Sequence, residues 1–153
     1  MAKARDIPGI GCGTPFREAA ARAVEVRADE LFSFADGVLD VGDVERVHDM
    51  RVATRRLRAA MEVFASCFPP KRHAKALKDV KALADALGAR RDPDVQLQAL
   101  ASYARELPGT DLSHIERRLE ARQAAANSEL ESALRGLPRL RRRLSRLAEG
   151  ARA

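Results

Sequence analysis

VHDMRVATRRLRAAMEVF, residues 47–64, is the stretch from which the rest of the chain is read. Wound at about 100° per residue, it sorts into two stripes. Val47, Met50, Thr54, Leu57, Met61 and Phe64 fall together as an apolar or near-apolar face. His48, Arg51, Arg55 and Arg58 fall on an adjoining face about a quarter of the circumference wide. Four cationic or potentially cationic groups thus form a ladder over roughly 15 Å of helix axis. A solvated helix usually sets Glu against such arginines at i, i+4. Here only Glu62, at the far end, shares that side. The spacing therefore predicts a ladder short of local counter-charge, and such a ladder calls for an external anion.

Working outward, Pro69-Pro70 stops this helix and Pro70 can open the next. Residues 71–87 repeat the two-face design. Leu77, Val80, Leu83, Ala84 and Leu87 form the apolar side, and Lys71, Lys75, Lys78 and Lys81 form a lysine stripe. Gly88 reads as the C′ residue and Asp92-Pro93 as a new start, giving a fourth helix to about Leu107. A fifth helix is expected from near Asp111 to about Arg135, with Ile115, Leu119, Ala126 and Leu130 among its periodic positions. Gly136 and Pro138 break it before a short basic helix, RLRRRLSRL, closes the chain.

Upstream of the ladder, residues 1–14 hold Pro8, Gly9, Gly11 and Gly13 and read as an irregular leader. Thr14-Pro15 reads as an N-cap followed by a proline at N1, opening a first helix to about Asp36. Gly37 and Gly42 mark the turn, and Asp43 caps the ladder helix. No strand pattern occurs. The expectation is an all-α antiparallel bundle of five to six helices, one domain over residues 15–149 behind the leader.

Composition agrees: 46% of the 153 residues are hydrophobic and only 4% aromatic, with no Trp and one Tyr. That poverty argues against any site that stacks bases on aromatic platforms. The net charge of +6 is uneven. Residues 1–47 carry −3, residues 48–91 carry +7, residues 92–134 carry −4 and residues 135–153 carry +6. Cys12 and Cys67 are too few and too distant for a disulfide framework or a zinc site. No secretory h-region or membrane-spanning run is present, so a soluble cytoplasmic protein is expected.

The ladder and the lysine stripe lie on successive helices joined by a short turn, and such helices usually pack antiparallel. Their stripes can then flank one edge and form a cationic groove, which Arg90 and Arg91 could extend. Arg supplies forked donors for phosphate oxygens and Lys supplies mobile point charges. The competing reading is two ordinary solvated faces. His48 serves either as a phosphate contact or as a helix-start histidine bonded to its neighbours. Asp92 reads as a cap rather than a base. His48, His73 and His114 lack the pairing of a metal site, and no nucleophile–base pair or phosphate-cradling glycine loop is present. Neither catalysis nor a cofactor is expected. The terminal RLRRRLSRL could meet acidic lipid or nucleic acid, or could simply be solvated or packed in the bundle.

The ladder followed some twenty residues later by LGARRDPDV, Leu87 to Val95, resembles the CHAD family (conserved histidine α-helical domain). TPFREAAARA also looks like the family's first helix. The resemblance implies an all-helical domain that binds inorganic polyphosphate without catalysis, in a basic groove or pore. It implies association with polyphosphate granules and, in some members, a neighbouring triphosphate-tunnel (CYTH) phosphatase. His48, Arg51, Arg55 and Arg58 match the family's basic helix, and Arg56 also fits the pattern. Lys81 matches a basic position on the next helix, and Arg91 with Asp92 its Arg-Asp pair. Lys75 and Lys78 are added from periodicity. The family usually has two pseudo-symmetric halves, each with such a helix, whereas this chain has one. It therefore looks like half a CHAD domain, with a homodimer expected to supply the other half. The alternative is a general polyanion or nucleic-acid binder, which charge alone permits without a base-reading motif.

Overall fold

The computed structural model describes residues 3–153. The elements are α1 (Phe16–Ser33), α2 (Val44–Val63), a 3-10 turn (Ala65–Cys67), α3 (Pro70–Glu106), α4 (Ser113–Leu134) and α5 (Leu137–Arg152). Among the described residues there is no strand. The fold is all-α, as the periodicity predicts.

Each helix starts where local chemistry allows. The Asp43 carboxylate accepts the Arg46 N–H and caps α2. Pro70 opens α3, and Pro138 sits in the first turn of α5, where a missing N–H costs nothing. Thr14 does not cap α1. Its hydroxyl accepts the Gly11 N–H and donates to the Gly9 carbonyl, within the leader, and α1 begins at Phe16 behind Pro15. The leader is held along α1 by arginines: Arg22 donates to the Gly9 carbonyl at 2.7 Å and Arg27 to that of Arg5 at 2.7 Å. Gly9 has a positive φ of 74°, and the Arg22 guanidinium occupies the space a Cβ would take.

The largest departure lies at Gly88 and Asp92-Pro93. The expected third and fourth helices are one continuous helix, α3, of 37 residues. Gly88 is not a C′ residue and has no positive φ, and Asp92 is an exposed position within the helix rather than a cap. Pro93 removes the bond that its N–H would give the carbonyl of Ala89, an interior defect that usually breaks a helix. Ala89 is exposed, so water can serve that carbonyl, while Pro93 itself is buried. Beside it Arg90 and Asp94 make a buried ion pair one turn apart. Arg90 also donates to Asn127 Oδ1 at 2.9 Å, and Gln123 donates to Asp94 at 2.6 Å, both from α4. Asn127 in turn donates to the Leu39 carbonyl at 3.0 Å. Three chain segments are bolted together across the point where sequence reads a break.

The core gathers Val24 and Leu31 of α1, Met50 and Leu57 of α2, Val80 and Leu87 of α3, and Leu144 and Leu147 of α5. Each such side chain contributes about 1.5–3 kcal/mol on burial. From α4 only Leu130 joins them among the fully buried residues. Beyond the Arg90 joint, α3 and α4 run on as an antiparallel hairpin, and residues 101–111 at its tip are all exposed.

Candidate functional site

The apolar stripe of α2 is buried from Val47 to Met61, and that burial fixes the helix's rotation. The ladder is thereby turned to the flank that meets α3. Two contacts locate this seam. The Met61 carbonyl lies 2.9 Å from His73 Nε2, and Glu62 Oε1 accepts from Arg58 Nε at 2.9 Å with Lys81 Nζ at 3.9 Å. One carboxylate thus touches both the ladder and the lysine stripe. Its hydrogen bond from Arg58, helped by the charges of Arg58 and Lys81, holds the Glu62 carboxyl below the usual carboxylate range.

That compensation is confined to one end. Arg51 and Arg55 are exposed and make no ion pair or hydrogen bond with any described residue. His48, one turn further, is half-buried and likewise has no side-chain partner among the described residues. Arg56 points the other way, toward Glu30 of α1 at 3.9 Å, as the helical wheel indicates. His73 is accounted for by the Met61 carbonyl and by stacking on Phe68, ring centroids 5.7 Å apart. Among the described residues no group of three His, Cys, Asp or Glu is arranged to hold a metal ion.

The α3 residues divide by flank. Lys81 faces the ladder, and the half-buried Arg91, five turns after His73, falls on the helical face that His73 turns toward α2. Lys78 is exposed and shares with Lys81 a shallow depression lined also by Ala74, Leu77, Ala82 and the exposed carboxylate of Asp85. Lys75, six residues before Lys81, is rotated about 120° from it and points away from the ladder. Arg90 is not part of any groove. Its side chain is fully buried, neutralised by Asp94 and bound to Asn127, because it lies on the face of α3 that packs on α4. The seam brings Arg58 and Lys81 onto one carboxylate; by helical register His48, Arg51, Arg55, Lys78 and Arg91 fall along its flanks, and Lys75 and Arg90 fall elsewhere.

Sequence reasoning missed the polar joint that Asp94, Gln123 and Asn127 form around Arg90. It singled out the basic RLRRRLSRL segment without dividing it; Arg139, Arg142 and Arg146 are exposed without partners among the described residues, whereas Arg141 and Arg143 are paired.

The unpaired guanidiniums of Arg51 and Arg55 beside lysine ammonium groups suit multipoint contact with an extended anion. This is an all-helical protein with a basic inter-helix seam. The CHAD domain family model matches residues 22–153, and the chain belongs to that family. CHAD domains are generally non-catalytic and bind polyphosphate-related partners. No match was found among curated proteins or among solved structures. Among the described residues no helix is long and apolar enough to cross a membrane.

Proposed function

We propose that this chain binds inorganic polyphosphate, without catalysing its reaction, through the α2–α3 seam. His48, Arg51, Arg55, Arg58, Lys78, Lys81 and Arg91 are the contacting residues. The observation that carries the reading is the state of Arg51 and Arg55: exposed, on the flank facing Lys81, and without counter-charge among the described residues. A polyanion supplies what they lack, and its affinity should rise with chain length and fall steeply with salt. The protein works in the cytoplasm at polyphosphate granules, beside a CYTH-type triphosphatase. A homodimer brings a second copy of the basic helix alongside the first.

The test is titration with long-chain polyphosphate at physiological salt, with DNA of matched phosphate content as competitor. A variant carrying Arg51→Ala, Arg55→Ala and Arg58→Ala should bind at least about a hundredfold more weakly, with unchanged helicity, because three charge-assisted contacts are removed. Equal competition by DNA would reduce the seam to a general polyanion surface. Tight polyphosphate binding by a species that light scattering shows to be monomeric would remove the dimer from the proposal.

A further inference from the structure

The arginines of α5 divide by flank in a way the sequence conceals. On the α1 side, Arg152 reaches Glu18 at 2.8 Å and Glu25 at 2.5 Å. Arg141 lies 3.9 Å from Asp29, its guanidinium 4.1 Å over the Phe32 ring. On the α3 side, Arg143 pairs with Asp79. The arginines that remain, Arg139, Arg142 and Arg146, point outward, exposed and without a partner among the described residues. At i, i+3 and i+7 they share one face within about 60° and span about 10.5 Å of helix.

Across the seam, Lys71, Lys75 and Lys78 of α3 follow i, i+4, i+7, and they too are exposed and unpaired among the described residues, as is Arg72. The two helices run antiparallel, since Asp79 meets Arg143 while Pro69 and Arg72 lie against Gly150. In that register Arg146 stands level with Lys75, Arg142 with Val80 and Arg139 with Leu83. Cations from the two helices therefore interleave along the seam. Arg139 and Arg135 line a cleft with Asp79, Leu83 and Leu140 at one end. Asp79 is engaged by Arg143, which leaves exposed Glu149, at the opposite end, as the nearest free carboxylate on α5. Lys78 also borders the depression it shares with Lys81, so the strip meets the ladder across the outer face of α3, where the exposed Asp85 is the one carboxylate lining that depression.

We infer that the α3–α5 strip is a second anion track, and that one long polyphosphate crosses α3 to occupy the ladder and the strip together. This rests on the polyphosphate reading of the α2–α3 seam. A short oligomer fills the ladder alone, so the strip acts as a length discriminator: it adds contacts only for chains long enough to reach Arg139, Arg142 and Arg146.

The experiment compares the full chain with a variant carrying Arg139→Gln, Arg142→Gln and Arg146→Gln. A control carrying Arg117→Gln, Arg118→Gln and Arg122→Gln removes the same charge from α4. Each is titrated with tripolyphosphate and with long-chain polyphosphate at several salt concentrations, and thermal melts confirm the fold. The α5 variant should lose about tenfold or more in affinity for the long polymer, with a salt slope shallower by about two. Its tripolyphosphate affinity should be unchanged, and the α4 control should lose little for either ligand. Unchanged long-polymer affinity in the α5 variant, or an equal loss in the α4 control, would overturn the inference while leaving the ladder intact. Absence of polyphosphate binding by the unaltered protein would instead bring down the reading of the seam itself.

Discussion

The two halves of α3 are built from similar residues and live in different circumstances. The near half, to Leu87, buries Ala76, Val80, Leu83 and Leu87 against the other helices and presents its lysines outward. The far half is tied to α4 by the Arg90–Asn127 and Asp94–Gln123 hydrogen bonds. Leu97 and Leu100 stay half-exposed, Val95 and Leu107 are about half-exposed at 49% and 52%, and Tyr103 is 60% exposed. The charge follows the same division, +7 over residues 48–91 against −4 over residues 92–134. The exposed, unpaired cations of the ladder stand where the scaffold is packed on several sides, and that packing holds the ladder's rotation fixed. The hairpin is a less supported appendage, coupled to the body through one buried polar joint.

That joint is the most direct place to break the comparison. Arg90 is fully buried and Asp94 is 1% exposed, so Asp94→Ala leaves a guanidinium in the interior with only Asn127 to receive it. Removing one partner of a buried pair costs about 3–5 kcal/mol, chiefly the penalty of the stranded charge. Urea denaturation should show a loss of that order. The double change Arg90→Met, Asp94→Leu should recover most of it, because an apolar pair of similar size has no charge to desolvate. A loss below about 1 kcal/mol for Asp94→Ala would mean that the joint does not hold the hairpin to the body, since surface positions lie in that range.

A paired truncation sharpens the contrast between the halves. Leu87→Ala removes a side chain with no exposed area from the core and should cost about 2–5 kcal/mol. Leu100→Ala, in the far half and half-exposed, should cost less than about 1 kcal/mol. Thermal melts of the two variants measure the difference, and equal costs would show that the hairpin packs as tightly as the body.

The near half was legible from periodicity because its apolar and basic positions answer to neighbours that the same period predicts. Leu57 and Met61 are buried, Glu62 compensates the far end of the ladder, and Asp43 caps α2. The register around α3 was legible only in part. A wheel drawn on residues 71–87 groups four lysines, yet Lys71, Lys75 and Lys78 span about 60° while Lys81 lies beyond them toward α2. Which flank matters depends on where α5 docks, and nothing local to α3 encodes that. Arg90 was misread for a related reason. Its ion-pair partner Asp94 is only one turn on, but the acceptor that holds it in the interior, Asn127, lies 37 residues away on α4. Gly88 and Pro93 carried ordinary stop signals, and tertiary contacts through α4 overrode them.

The smallest expected effect falls between the two halves, at Gly88, and it separates the two descriptions of α3 by sign. At a helix C′ position with positive φ, alanine would be strained and Gly88→Ala would destabilise. Inside a continuous helix, alanine gains because glycine is about 1 kcal/mol less favourable there. A Cβ at Gly88 meets nothing within 4 Å, so no packing penalty offsets the gain. Gly88→Ala should therefore raise stability by up to about 1 kcal/mol, seen as a higher urea midpoint with an unchanged m-value. Its polyphosphate affinity should match the unaltered protein's, since no cation of the ladder moves. A fall in the midpoint would mean that α3 is interrupted at Gly88 after all. The near half would then end where the sequence signals place it, and the hairpin beyond would be a separate helical pair.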